Sequence, residues 1–272
     1  MNSQAQENPA DLRVKGRQLL FRNQVDSAQA IFEYISEKYP DYDKATISSQ
    51  LADIYFWYKN DSIKAEKKYL EVFATNGIYL LRHSCLELAN IYIGKNNFKQ
   101  ALYYLQKAEK DYPHFFTCEA GEWIRKTKLA YQFAQCYAGT NKHDKAVKEL
   151  TGYVFSDPAQ FGHGQQDSLL YMEITRFYVS ELKLFMNHEK LKAEWAKATQ
   201  ALIFEIEPYD NEQGKWVTVE GYFIFLGQKV ILPTREDFFN EDGGKSYLEY
   251  YKRENLMKVF DDLPTYKALN TL

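Results

Sequence analysis

The stretch LANIYIGKNNFKQALYYLQKAEKDYP, Leu88 to Pro113, decides the fold of this 272-residue chain. It reads as two short amphipathic helices joined by a tight turn. The small residues Ala89, Ala101 and Ala108 fall where two helices would touch. The large residues Tyr92, Phe98 and Leu105 fall where a neighbouring unit would pack. Pro113 stops the second helix, because proline disfavours helix at the residue before it.

The pattern recurs on both sides. A first unit spans about Ala10 to Pro40, with Leu12, Gly16, Leu19 and Leu20 at helical spacing. Asn23-Gln24 marks its turn, and Ala28, Phe32 and Ile35 form the inner face of its second helix. The second unit spans about Asp43 to Gly77. Leu51, Ala52 and Tyr55 repeat Leu88, Ala89 and Tyr92, and Ala65, Tyr69 and Val72 follow after a turn one residue longer, Lys59 to Ser62. Gly77 stands where a proline would end the unit and is expected to supply a left-handed cap.

After an insertion, His114 to Glu122, a fourth unit carries Ala130, Phe133, Ala134 and Tyr137, then Ala146, Leu150 and Tyr153, and ends at Pro158. A divergent fifth pair is expected over Leu169 to Met186 and Glu189 to Glu207, with Ala193, Ala196 and Ala201 as its small residues. One hairpin cannot bury its own apolar faces, so neighbours must stack.

The small–large code resembles the tetratricopeptide repeat, a helix-turn-helix unit of roughly 34 residues. The third unit matches its signature in order at Leu88, Ala89, Tyr92, Phe98, Ala101, Ala108 and Pro113. The fourth matches at Phe133, Ala134, Tyr137, Ala146 and Pro158. The first keeps Gly16, Ala28, Phe32 and Pro40, and the second keeps Ala52, Tyr55 and Ala65. The signature tryptophan is replaced by Cys85 and Ala130, and the spacing runs long, 37 from Ala28 to Ala65 and 36 from Ala65 to Ala101. Stretched repeats ending in Tyr-Pro look like those of exported bacterial envelope-assembly lipoproteins.

The resemblance implies an all-α, right-handed superhelix of stacked antiparallel hairpins over residues 10–208, with a divergent C-terminal cap at 209–272. Its first helices would line a concave groove that binds a protein or peptide. The register points Arg13, Arg17, Phe21, Asp53, Phe56, Trp57, His83, Asn90, Lys128, Tyr131 and Gln135 into that groove. Aromatic anchors supply contact area there, and amides and charges supply orientation. The Lys/Asn carboxylate clamp of chaperone-binding relatives is not reproduced, since only Asn90 falls at such a position.

In the C-terminal region, Gly214 to Pro233 is rich in β-branched and aromatic residues. Val217, Val219, Phe223 and Phe225 alternate as a strand would, whereas Trp216, Val219, Phe223, Leu226 and Val230 fit a helix. Helix is slightly favoured, because solenoids commonly end in helical caps. Lys245 to Leu263 reads as an amphipathic capping helix.

Composition narrows the function. Apolar content of 45% suits a packed core, and aromatic content of 16% suits both core and binding anchors. The segment from Tyr209 to Leu272 holds eight Lys/Arg and eleven Asp/Glu, leaving 26 of each before it. No basic stripe is present, which argues against nucleic acid. No apolar run reaches the roughly 20 residues that span a bilayer. Cys85, Cys118 and Cys136 form no disulfide framework.

Metal and nucleophile motifs are absent or incomplete. His188-Glu189 lacks the second histidine of a zinc helix, with Lys192 in its place. His114 and Cys118 make half a site. Asn240, Asp242, Gly243 and Glu249 fit a calcium loop whose first position is held by Phe238 instead of a carboxylate. No cofactor is expected.

The reading is therefore a non-enzymatic interaction module, with envelope assembly or toxin neutralisation as contexts. The alternatives are an enzyme or metal-dependent module using the C-terminal region and the His163 loop, and a structural homo-oligomer. Ser3-Gln4-Ala5 has the form of a signal cleavage site, so an exported protein stands as the alternative to a cytoplasmic one.

Overall fold

The computed structural model describes residues 7–75, 77–113, 119–155, 165–211, 214–232, 235–239, 257–258 and 260–271. The chain divides into two compact units, Met1–Phe115 and Phe116–Leu272.

The first unit is three antiparallel helix hairpins. α1 (Pro9–Phe21) pairs with α2 (Val25–Lys38). α3 (Lys44–Asp53), prolonged by a π-helical turn over Ile54–Tyr58, pairs with α4 (Ser62–Phe73). α5 (Ile78–Gly94) pairs with α6 (Phe98–Asp111). Successive hairpins stack through α2 on α3 and α4 on α5.

The alanines sit where the code placed them. Ala28, Ala52, Ala65, Ala89, Ala101 and Ala108 are fully buried. Gly16 serves the same end: a Cβ there would lie 2.7 Å from the ring of the buried Phe32. Cys85 is also fully buried, and burial pushes its thiol up to about 12, so it acts as a small hydrophobe.

One turn device closes every hairpin of the repeat code. Asn23, Asn60, Asn96 and the second unit's Asn141 all take left-handed φ values of 53 to 59°. Asparagine tolerates that conformation better than other side-chain-bearing residues. Each stands two residues before its following helix.

Two sequence expectations about this unit are corrected. The extra residue of the second hairpin is not in its turn but in the helix before it. The Asp61 amide reaches back six residues to the Tyr55 carbonyl, where Asn97 and Gln24 reach back five to Tyr92 and Leu19. Gly77 has φ −80° and is no left-handed cap. It is glycine because a Cβ there would collide with that of Ala45. The helix preceding it ends at Phe73, and α6 ends with help from α5: Arg82 donates to the carbonyls of Ala108 and Tyr112, 2.8 and 2.9 Å away. Those carbonyls have no partner within the helix.

The second unit begins with α7 (Glu119–Ala138) paired to α8 (His143–Thr151). Ala134 and Ala146 are fully buried between them. α9 (Gln165–Phe185) and α10 (His188–Gln200) follow. The expected last helix stops at Gln200 instead of Glu207, and of the fifth pair's alanines it is Ala198 that is buried, while Ala193, Ala196 and Ala201 are exposed. The β-rich segment Ile203–Asn211 leaves the helix to become β1, the outer partner of β2 (Gly214–Phe225).

β3 (Gln228–Ile231) and β4 (Arg235–Phe239) pair antiparallel with successive halves of β2. Gly214–Ile231 is thus a pair of strands and not the slightly favoured helix, because Phe223 and Phe225 alternate inward while Ile224 faces out. Leu226 and Gly227, at φ 52° and 79°, make the two-residue turn into β3.

The sheet packs on α10 and α8. Phe223 and Phe225 meet Phe155 and Trp195 in an aromatic core, with ring centroids 5.1 Å apart for Phe155–Phe223 and 5.4 Å for Trp195–Phe225. A last helix, α11 (Pro264–Asn270), adds Tyr266 and packs on α9. Most of the helix expected over Lys245 to Leu263 lies outside the described residues.

Enlarging a crossing alanine tests this packing. Ala101→Leu forces a branched side chain into a fully buried contact, and overpacking of that kind costs about 1–3 kcal/mol. The expected result is a lower melting midpoint with retained helical circular dichroism. An unchanged midpoint would contradict the packing.

Candidate functional site

The first helices of the second and third hairpins hold a polar cluster. Asp53 ends α3, and His83, Glu87 and Asn90 lie on one stripe of α5 at helical spacing. Tyr69, on α4, stands behind them fully buried.

Its hydrogen bonds link the two hairpins. The Tyr69 hydroxyl donates to Asp53 Oδ1 at 2.6 Å, and His83 Nε2 meets the same oxygen at 2.8 Å, with the edge of the Tyr69 ring 79° to the imidazole. His83 Nδ1 faces Glu87 Oε1 at 4.0 Å. Asn90 Nδ2 donates to Glu87 Oε2 at 3.1 Å.

Electrostatics favour a proton on the ring. Burial works against a charged His83, but the hydrogen bond and charge of Asp53, with Glu87 adding to them, outweigh it and raise its pKa above 6.5. Burial also raises Glu87, against the Asn90 hydrogen bond and the His83 charge. Tyr69 is raised by burial and by the Asp53 carboxylate, so it stays a donor.

Of the sequence-derived groove residues, the structure brings Asp53, His83 and Asn90 together. Phe56 is half-buried against the first unit's core, and Trp57 stands edge-on to it at 4.8 Å with 60% of its surface exposed. The π-helical turn carries both aromatics.

Phe21, at the end of α1, is 94% exposed, and Arg17 is exposed. Arg13 turns to a structural task and pairs with Asp43 at 2.7 Å in the link between α2 and α3. In the second unit Lys128 is exposed and Gln135 half-buried. Tyr131 is only 8% exposed: its hydroxyl donates to Glu173 at 2.8 Å and its ring packs edge-on against Phe177, which fixes α7 to α9.

Glu87 and Tyr69 were missed by sequence reasoning. Glu87 stands four residues beyond His83 on the same stripe, so helical spacing alone could have found it.

No group of three or more metal-ligating side chains occurs among the described residues. His188 and Lys192 are exposed on α10. His114, Cys118, His163 and the acidic stretch from Asn240 to Glu249 lie outside the described residues. No described helix is long and apolar enough to cross a membrane.

No family profile and no curated protein matches the chain. Solved structures similar to it include the following two. One is a MamA protein, at 16% identity and a TM-score of 0.40 over 70% of this chain and 94% of its own. The other is a thermophilic TPR protein of Thermus thermophilus, at 19% identity and a TM-score of 0.40 over 71% of this chain and 91% of its own. The fold itself rests on the hairpins, their buried alanines and their asparagine turns.

The raised pKa of His83 has a signed consequence. A histidine raised in the folded state contributes stability that is complete below its unfolded value and is lost as pH rises through the folded one. The window therefore opens near 6.5 and extends upward. The denaturation midpoint is expected to fall as pH rises through that window, and His83→Asn is expected to flatten the fall. Equal slopes in the two proteins would refute the contact's role.

Proposed function

We propose that the chain is a non-enzymatic interaction module that binds a protein or peptide along the first-helix face of its hairpins. The observation that carries this reading is Trp57. Its indole is 60% exposed, and Asp53, four residues before it, opens the half-buried polar cluster. Tryptophan is among the residues most often found at the energetic centre of protein interfaces, and polar neighbours orient what it holds. The polar cluster is assembled from two hairpins, so it exists only in the stacked fold.

Affinity capture with the wild-type chain and with Trp57→Ala tests the reading. The variant is expected to lose a partner that the wild type retains. Its melting midpoint should stay close to that of the wild type, since an exposed side chain contributes little to stability. Equal retention by both chains would count against this face.

A further inference from the structure

The face that carries Trp57 also carries charge, and the two together specify the chemistry of what binds; the inference rests on the reading just given. Both hydrogen bonds that Asp53 receives go to Oδ1. Among the described residues Oδ2 has no hydrogen-bond donor, and the Asp53 side chain is 36% exposed. Glu87 is more enclosed, with 13% of its side chain exposed. The hydrogen bond it receives comes from a neutral amide, and its nearest cation among the described residues is the His83 ring at 4.0 Å. Two carboxylates therefore keep acceptor capacity, and the exposed indole follows Asp53 by four residues, close to one helical turn.

A lysine would supply a point charge to such a face. An arginine supplies a planar fork with donors for more than one carboxylate oxygen and a flat surface that stacks on indole. We propose that this face docks an arginine of the bound segment, its guanidinium set between the Asp53 and Glu87 carboxylates and its plane against Trp57.

His83 then becomes a competitor. It is faced by Asp53 from α3, by Tyr69 from α4 and by Glu87 from its own helix. When protonated it occupies the same carboxylates that the arginine needs. Binding is therefore expected to strengthen as pH rises through the His83 titration, opposite in sign to the stability of the unliganded contact.

Selection of a phage-displayed random dodecapeptide library on the full chain, with depletion on Trp57→Ala, tests this. The expected peptides share an arginine. A fluorescent synthetic copy should lose affinity by about tenfold on Glu87→Gln, and by a similar factor when its arginine becomes citrulline. Its affinity should also rise from pH 6 to pH 8. Circular dichroism and melting of Glu87→Gln establish that the variant is folded. Trp57-dependent peptides that lack a basic residue, or that are indifferent to Glu87→Gln, overturn the arginine assignment and leave the interaction reading standing. Failure to select any Trp57-dependent peptide overturns both.

Discussion

Close approach of paired helices is the constraint on which the rest depends. Two backbones can cross at short distance only where the side chains between them are small. Alanine meets that need at Ala28 against α1, at Ala52 and Ala65 in the second hairpin, at Ala89 and Ala101 in the third, and at Ala134 and Ala146 in the fourth, all without exposed surface. The large residues are thereby pushed outward to the neighbouring hairpin. Tyr55 shows the result: its hydroxyl donates to Glu33 of the preceding hairpin at 2.6 Å, and Tyr92 does the same to Glu66 at 2.5 Å. Spacing inside a hairpin thus sets the contacts between hairpins.

The second hairpin departs from this regularity by one residue. That residue is absorbed in the helix as a π-helical turn, and Asn60 keeps the turn position that Asn23 and Asn96 hold in their own hairpins. π-turns of this kind are rare and occur often at functional sites. Here the turn carries the aromatic run Phe56-Trp57-Tyr58, of which Phe56 is half-buried and Trp57 and Tyr58 are exposed. It follows directly on Asp53, the carboxylate on which Tyr69 and His83 converge.

Much of this was legible in the sequence, because the repeat code is a local signal. The alanines and the Tyr-Pro stops follow from spacing alone, and the groove positions of Asp53, His83 and Asn90 follow from the register that the repeat resemblance implies. What spacing could not place was an extra residue, since a longer turn and a π-turn have the same length. The end of α10 was read too late because Leu202 continues the helical period, and only the pairing of Ile203–Asn211 with β2 ends it. Tyr131 sits at a groove position by register, but Glu173 and Phe177 of α9 draw it inward. Glu87 was passed over because a carboxylate on a helix ordinarily reads as a solvated one.

The aromatic core of the second unit has a bearing on how that unit is made. Its rings come from Phe155, Trp195, Phe223, Phe225, Phe260 and Tyr266, and the carbonyl of Val154 is held by Thr265, 111 residues further along. The hairpins of the first unit need only their neighbours, and each can close while the chain is still being synthesised. The second unit cannot finish until nearly its whole length has emerged, and until then its phenylalanines and Trp195 stand uncovered. Long-range closure of that kind is slow and leaves sticky surface on view. Nascent-chain quality control would therefore meet this protein chiefly through its C-terminal half.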